Sequence, residues 1–150
     1  MAKRKSMQHD ACPVARSVDL VGDRWSMLIV RDAFDGISRF SDFQRNLGVA
    51  KNILSDRLSA LVGEGVLTVQ PASDGTSYQQ YVLTSKGESL FPVVVALRQW
   101  GERHLFASTE PHSLLVEKAS GKAVAPMLPH DHAGHVLKPA DTLVKKITVK

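Results

Sequence analysis

Cys12 is the only cysteine in this chain of 150 residues. An internal disulfide framework is therefore excluded, and the chain suits a reducing compartment. No apolar run approaches the ~18 residues that a membrane span needs. The basic opening Met1-Ala2-Lys3-Arg4-Lys5-Ser6 is not followed by the apolar segment of a secretory signal. A cytoplasmic location is the expectation. Also missing are a Gly-rich phosphate loop, a nucleophile elbow and a two-carboxylate arrangement. The chain is expected not to be an enzyme, and no cofactor is expected. Trp25 and Trp100 read as core and interface anchors, not as a cofactor box.

With 43% hydrophobic residues, the chain has enough apolar material for one compact domain with room for appendages. Its net charge of +4 permits attraction to polyphosphate. That support is weak, because Asp10, Asp19, Asp23, Asp32, Asp35 and Asp42 dilute the basic residues of the first third.

The strongest signal lies between Phe40 and Leu83. Phe40, Phe43 and Leu47 fall at i, i+3 and i+7, one apolar stripe of a helix, and Gly48 follows where a helix stop wants φ > 0. Asn52 to Val62 restarts the period, with Leu54, Leu58, Leu61 and Val62 on the side to be buried. Asn52, Ser55, Asp56 and Ser59 then face outward, with Lys51 and Arg57 at the edges of that face. Next come Val66 to Val69, a β-branched strand, a turn cluster from Pro71 to Thr76, and a returning strand from Tyr78 to Leu83. Helix, turn, helix and hairpin in that order predict a winged helix-turn-helix. The fold class is mainly α with a small β-hairpin wing.

Around this motif, Pro13 to Val21 reads as a short helix with Pro in its first turn. Asp23 is placed to cap a second helix that Asp35-Gly36 closes. Ser38 or Ser41 is the expected cap of the helix starting near Phe40. Thr84 caps a long helical stretch reaching Leu105, which Pro92 either kinks or divides. That stretch is longer than a small head can cover, so its spare face predicts a partner subunit. Residues 1–10 read as a flexible basic tail, 11–107 as the DNA-binding and dimerisation domain, and 108–150 as an appendage. The appendage holds His112, His130, His132 and His135 among punctuating prolines.

Cys12-Pro13-Val14, Gly22-Asp23-Arg24-Trp25 to Arg31, Arg39-Phe40-Ser41-Asp42-Phe43, Leu54 to Leu61, Gly65-Val66-Leu67, Tyr81-Val82-Leu83-Thr84, Gly87 and the Leu97–Gly101 stretch occur in an order that resembles HxlR-type transcriptional regulators. The likeness runs from about residue 11 to 106. It implies a dimeric winged helix repressor or activator whose first and last helices flank the motif as dimerisation helices. It also implies, as in many members, a response to oxidants or electrophiles through a cysteine placed like Cys12. Two departures stand out. Gln79-Gln80 precede Tyr81 where the family usually has a charged pair. In the tail, Ser120-Gly121 and His130-Asp131-His132-Ala133-Gly134 resemble a zinc-ribbon-like module whose cysteines have been replaced. Thiolates make such sites bind zinc tightly, so the ribbon shape at most is expected, without metal.

Lys51, Asn52, Ser55 and Arg57 are the candidates for base contact, since Asn can bond adenine and Arg guanine through two edges at once. Arg57 has a rival place as a partner of an acid in the first helices. Arg39, Lys86, Ser77 and Gln79 are candidates for phosphate contact, which positions without specifying. The expected partners are a second copy of the chain and a pseudo-palindromic DNA operator, with an electrophile or small molecule as effector. Cys12 before a helix N-terminus, near Arg16, is either a redox sensor or a small packed hydrophobe. With one cysteine, reversible oxidation products must be mixed or intersubunit disulfides. Three alternatives remain at this level. They are a ligand- or metal-responsive regulator in which Cys12 is structural, a thiol-dependent enzyme, and a non-DNA-binding adaptor. His130, His132 and His135 read first as a solvated loop and only second as a metal cluster.

Overall fold

The computed structural model describes residues 5–147 and divides into two compact units, one ending at Phe91 and one starting at Pro92. The first unit opens with α1 (Pro13–Val21), which Pro13 starts and Gly22 ends, its N–H donating to the Val18 carbonyl at 2.9 Å. The Asp23 carboxylate then accepts from the Ser26 N–H at 2.9 Å and caps α2 (Arg24–Phe34). Of the expected basic tail, residues 1–4 lie outside the described residues. Ser6 within it donates to the Asp19 carboxylate at 3.3 Å.

α3 (Phe40–Leu47) is capped neither by Ser38 nor by Ser41. The helix begins one residue after Arg39, which takes the N-cap position and leaves Ser38 outside and Ser41 inside the first turn. Gly48 ends it at φ 64°, a left-handed conformation that a Cβ disfavours. α4 (Lys51–Gly63) follows, starting a residue earlier than its apolar period suggested. Leu54, Leu58 and Leu61 are wholly buried against Ile29, Val30, Phe43, Val66 and Leu67, the first unit's core, while Val62 is only half-buried.

The wing is β1 (Leu67–Pro71) paired antiparallel with β2 (Gln79–Leu83), Leu67 facing Leu83 and Pro71 facing Gln79. Tyr78, expected inside the returning strand, lies just before it. A further bond anchors β2 on the far side, where the Tyr81 N–H donates to the Ser38 carbonyl at 2.7 Å. Thr84 closes the wing. Its N–H donates to the Val66 carbonyl at 3.1 Å, and its hydroxyl accepts from the Gly87 N–H at 3.1 Å, starting α5 (Ser85–Glu88). Of the two possibilities for Pro92, the structure has the division. α6 (Phe91–His104) is a separate helix with Pro92 in its first turn.

The second unit consists of most of α6 and the tail. Two tight turns shape the tail, one bridging Val116 to Ala123 and one bridging His130 to Val136. Side chains hold each turn. The Ser120 hydroxyl donates to the Glu117 carboxylate at 2.6 Å, and the Asp131 carboxylate accepts from the Ala133 and His135 N–H groups. Gln99 fastens this segment to α6, donating to the Ala125 carbonyl at 3.0 Å and accepting from the Met127 N–H at 2.7 Å.

Candidate nucleic-acid interface

α4 turns three buried leucines inward and so fixes what it shows outside. Lys51, Asn52, Ser55, Asp56 and Ser59 are all exposed. Lys51, Asn52 and Ser55 line a shallow depression together with Phe40. A second depression shares Phe40 and is lined also by Arg39, Ser41, Ser77, Tyr78, Gln79 and Tyr81. The polar surface of α4 is thereby continuous, through the start of α3, with the inner side of the wing.

Within the expected set, the cations depart from the simple picture. Arg57 is only partly displayed on α4, its side chain 38% exposed. Its Nε lies 3.6 Å from the Asp23 carboxylate, the rival place foreseen for it, and makes no hydrogen bond. Burial works to raise the Asp23 pKa, but the hydrogen bonds from Ser26 and the charge of Arg57 outweigh it and hold the carboxyl below its ordinary range. Lys86 donates to the Glu64 carbonyl at 2.6 Å, just past the end of α4, where a cation complements the helix terminus. Arg39 is bonded to the Asp74 carboxylate in the wing loop and lies over the Tyr78 ring, 5.4 Å from its centroid. Lys51, Asn52, Ser55, Ser77 and Gln79 are displayed as expected.

Three residues on this surface were missed from sequence. Ser41 was considered only as a cap, Tyr78 only as a strand residue and Asp74 only as part of a turn. Asp74 is fixed by Thr76, whose N–H and hydroxyl donate to it at 3.1 and 2.8 Å. Those bonds, with the Arg39 bond behind them, lower its pKa to about 2.

Cys12 lies outside this surface, exposed at the N-cap of α1. Its N–H donates to the Asp10 carboxylate at 2.8 Å, while Arg16 Nε donates to the Asp10 carbonyl at 2.5 Å. In the tail, His135 meets Asp131 at 3.2 Å, and among the described residues no three His, Cys, Asp or Glu side chains converge as a metal site.

Fold and surface together define a winged helix-turn-helix protein of the transcriptional-regulator type. Residues 20–109 match the family of HxlR-like helix-turn-helix proteins, and the chain belongs to that family. It is 39% identical over 121 residues to Rv3095 of Mycobacterium tuberculosis, an uncharacterized HTH-type transcriptional regulator, covering 81% of this chain and 77% of that one. Among solved structures it is similar to the candidate transcription factor PA1607, with 50% identity and a TM-score of 0.89. That match covers 94% of this chain and 99% of the other. It is also similar to the reduced form of the redox regulator HypR, at 26% identity and a TM-score of 0.57, covering 63% of this chain and 94% of that one. HypR has also been solved oxidised. Among the described residues no helix is long and apolar enough to cross a membrane.

Proposed function

We propose that the protein is a sequence-specific DNA-binding regulator that acts as a homodimer. The observation that carries this reading is the outer face of α4. Three wholly buried leucines turn Lys51, Asn52 and Ser55 to solvent, in one surface with the wing. Short polar side chains on an exposed helix fit a major groove, where Asn and Lys bond base edges. Ser77 and Gln79 in the wing then meet phosphates and set the register. Arg57, turned to Asp23, positions α4, and Lys86 secures its end.

Dimerisation is supported by apolar side chains left bare on two helices. Val14 and Val18 are exposed on α1, and Val93, Leu97 and Trp100 on α6, with Trp100 still 52% exposed. Large apolar side chains clustered on single faces mark interaction surfaces. A two-fold dimer would place two α4 helices in successive major grooves, about 34 Å apart, on a pseudo-palindromic operator. Residues 11–107 form the binding and dimerising body in this account, and 108–150 an appendage.

Cys12 is the proposed trigger. It is an exposed thiol at the start of α1, and the likeness to a redox regulator supports a redox role. Oxidation would join it to a small thiol or to a second copy, changing how the subunits sit and hence the α4 spacing.

Fluorescence anisotropy of the DNA upstream of the protein's own gene tests both parts, using reduced and oxidised protein beside Cys12→Ser. The expected result is tight binding when reduced, loss on oxidation and indifference in Cys12→Ser. Specific binding that ignores oxidant returns Cys12 to a structural role. Absence of any salt-dependent affinity defeats the DNA reading itself.

A further inference from the structure

Arg39 is the cation best placed between α3 and the wing, yet it is already engaged. Its guanidinium bonds Asp74 and covers Tyr78, on the rim of the depression that Ser41, Ser77 and Gln79 also line. The pair is not sealed in. The Arg39 side chain is 30% exposed and that of Asp74 46%, so an incoming anion can reach the guanidinium. Asp74 also does not depend on Arg39 for its position, because Thr76 holds the carboxylate through two bonds.

We propose that Asp74 is a resident counter-ion for Arg39 that a backbone phosphate of DNA displaces, so that the wing loop itself sets how tightly the protein holds DNA. The proposal rests on the DNA-binding reading above and adds to it a competition for one guanidinium. Guanidinium bonds carboxylate and phosphate in the same forked geometry, so exchange needs little rearrangement. In free protein one oxygen of the Asp74 carboxylate, Oδ2, holds Arg39 Nη2, while the other accepts from Thr76. On DNA a phosphate oxygen takes the place of Oδ2, with Ser41, Ser77 and Tyr78 lining the same depression. The cost of binding is then the broken Arg39–Asp74 pair, which DNA must offset before it gains the guanidinium.

The test is a double-mutant cycle read by anisotropy on a duplex of unrelated sequence, across a salt series, with wild type, Asp74→Asn, Arg39→Gln and the double variant. Asn keeps an oxygen to accept from Thr76 while losing the charge. Asp74→Ser, which keeps a hydroxyl there, gives the same comparison if Asn disturbs the turn. Asp74→Asn is expected to tighten binding roughly two- to fivefold, the worth of an exposed ion pair. It should also steepen the slope of log affinity against log salt by up to about 0.9, one phosphate's share. Arg39→Gln weakens binding, and adding Asp74→Asn to it restores little. Two results overturn the proposal while leaving DNA binding intact. One is unchanged or weaker binding by Asp74→Asn, which makes the pair a simple strut. The other is an equal gain with and without Arg39, which makes Asp74 a general repulsive charge. Wild type showing no salt-dependent affinity overturns the proposal together with the DNA reading.

Discussion

The Asn46 side-chain amide donates to Oδ2 of Asp32 at 2.8 Å, tying α3 to a carboxylate that is wholly buried near the end of α2. The other oxygen of Asp32 accepts from Arg31 at 2.8 and 3.0 Å, and its backbone carbonyl accepts from the Asp35 and Ile37 N–H groups. One residue thus closes α2, shapes the turn after it and holds the helix that precedes α4. Asn46→Ala is expected to destabilise the fold by roughly 1–2 kcal/mol, because a buried acceptor loses its donor. Urea denaturation measures this as a fall in midpoint at unchanged slope. A stability equal to wild type would show that the Asp32–Asn46 bond contributes nothing.

Gly87 presents a different constraint. A Cβ at this position would lie 2.1 Å from the Val66 carbonyl oxygen and 2.9 Å from a Leu83 methyl. The closer neighbour is backbone, which cannot swing aside, so Gly87→Ala must push α5 away from the base of the wing. The expected cost is about 1–3 kcal/mol, as for overpacking in a core. Thermal unfolding checks the loss. Amide exchange at Thr84, whose N–H bonds Val66, locates it.

For acid, the Arg39–Asp74 contact gives a directional expectation. The folded-state pKa of Asp74, about 2, lies below its ordinary 3.8. Whatever the ionised group contributes to the folded state is therefore fully present above about 3.8 and is lost as pH falls through about 2. Carboxyl-carbon NMR titration of Asp74 should show a midpoint near 2, and Thr76→Ala should move it partway up, since the hydroxyl bond is lost while the Thr76 N–H bond remains. A midpoint near 3.8 in wild type would mean that these bonds do not persist in solution.

Much of this architecture was legible in sequence because it rests on local rules. Leu54, Leu58 and Leu61 announce the buried side of α4 by spacing alone. Gly48, Asp23 and Pro92 stand at helix ends for reasons of φ, capping and a missing N–H. What sequence did not yield are partnerships made by the fold. Arg39 meets Asp74, Arg57 meets Asp23 and Lys86 meets the Glu64 carbonyl, partners 35, 34 and 22 positions apart in the chain. No periodicity records such distances, so cations that looked free for DNA proved partly engaged within the protein. Arg57 was the exception, because its rival partner among the first helices was foreseen as a class. The Ser38 and Ser41 caps failed for a smaller reason. A helix start displaced by one residue moves the capping position from serine to arginine.

A sequence-specific regulator of this fold must read bases with the outer face of α4. The direct measurement is the affinity ratio between an operator selected from random duplexes and a scrambled duplex, at one salt concentration, for wild type and Asn52→Ala. The expected result is a strong preference in wild type that Asn52→Ala reduces by about 1–3 kcal/mol, the worth of one good base contact. Its affinity for scrambled DNA should stay nearly unchanged. A wild type that selects no sequence, or an Asn52→Ala variant with its discrimination intact, would contradict that role of α4.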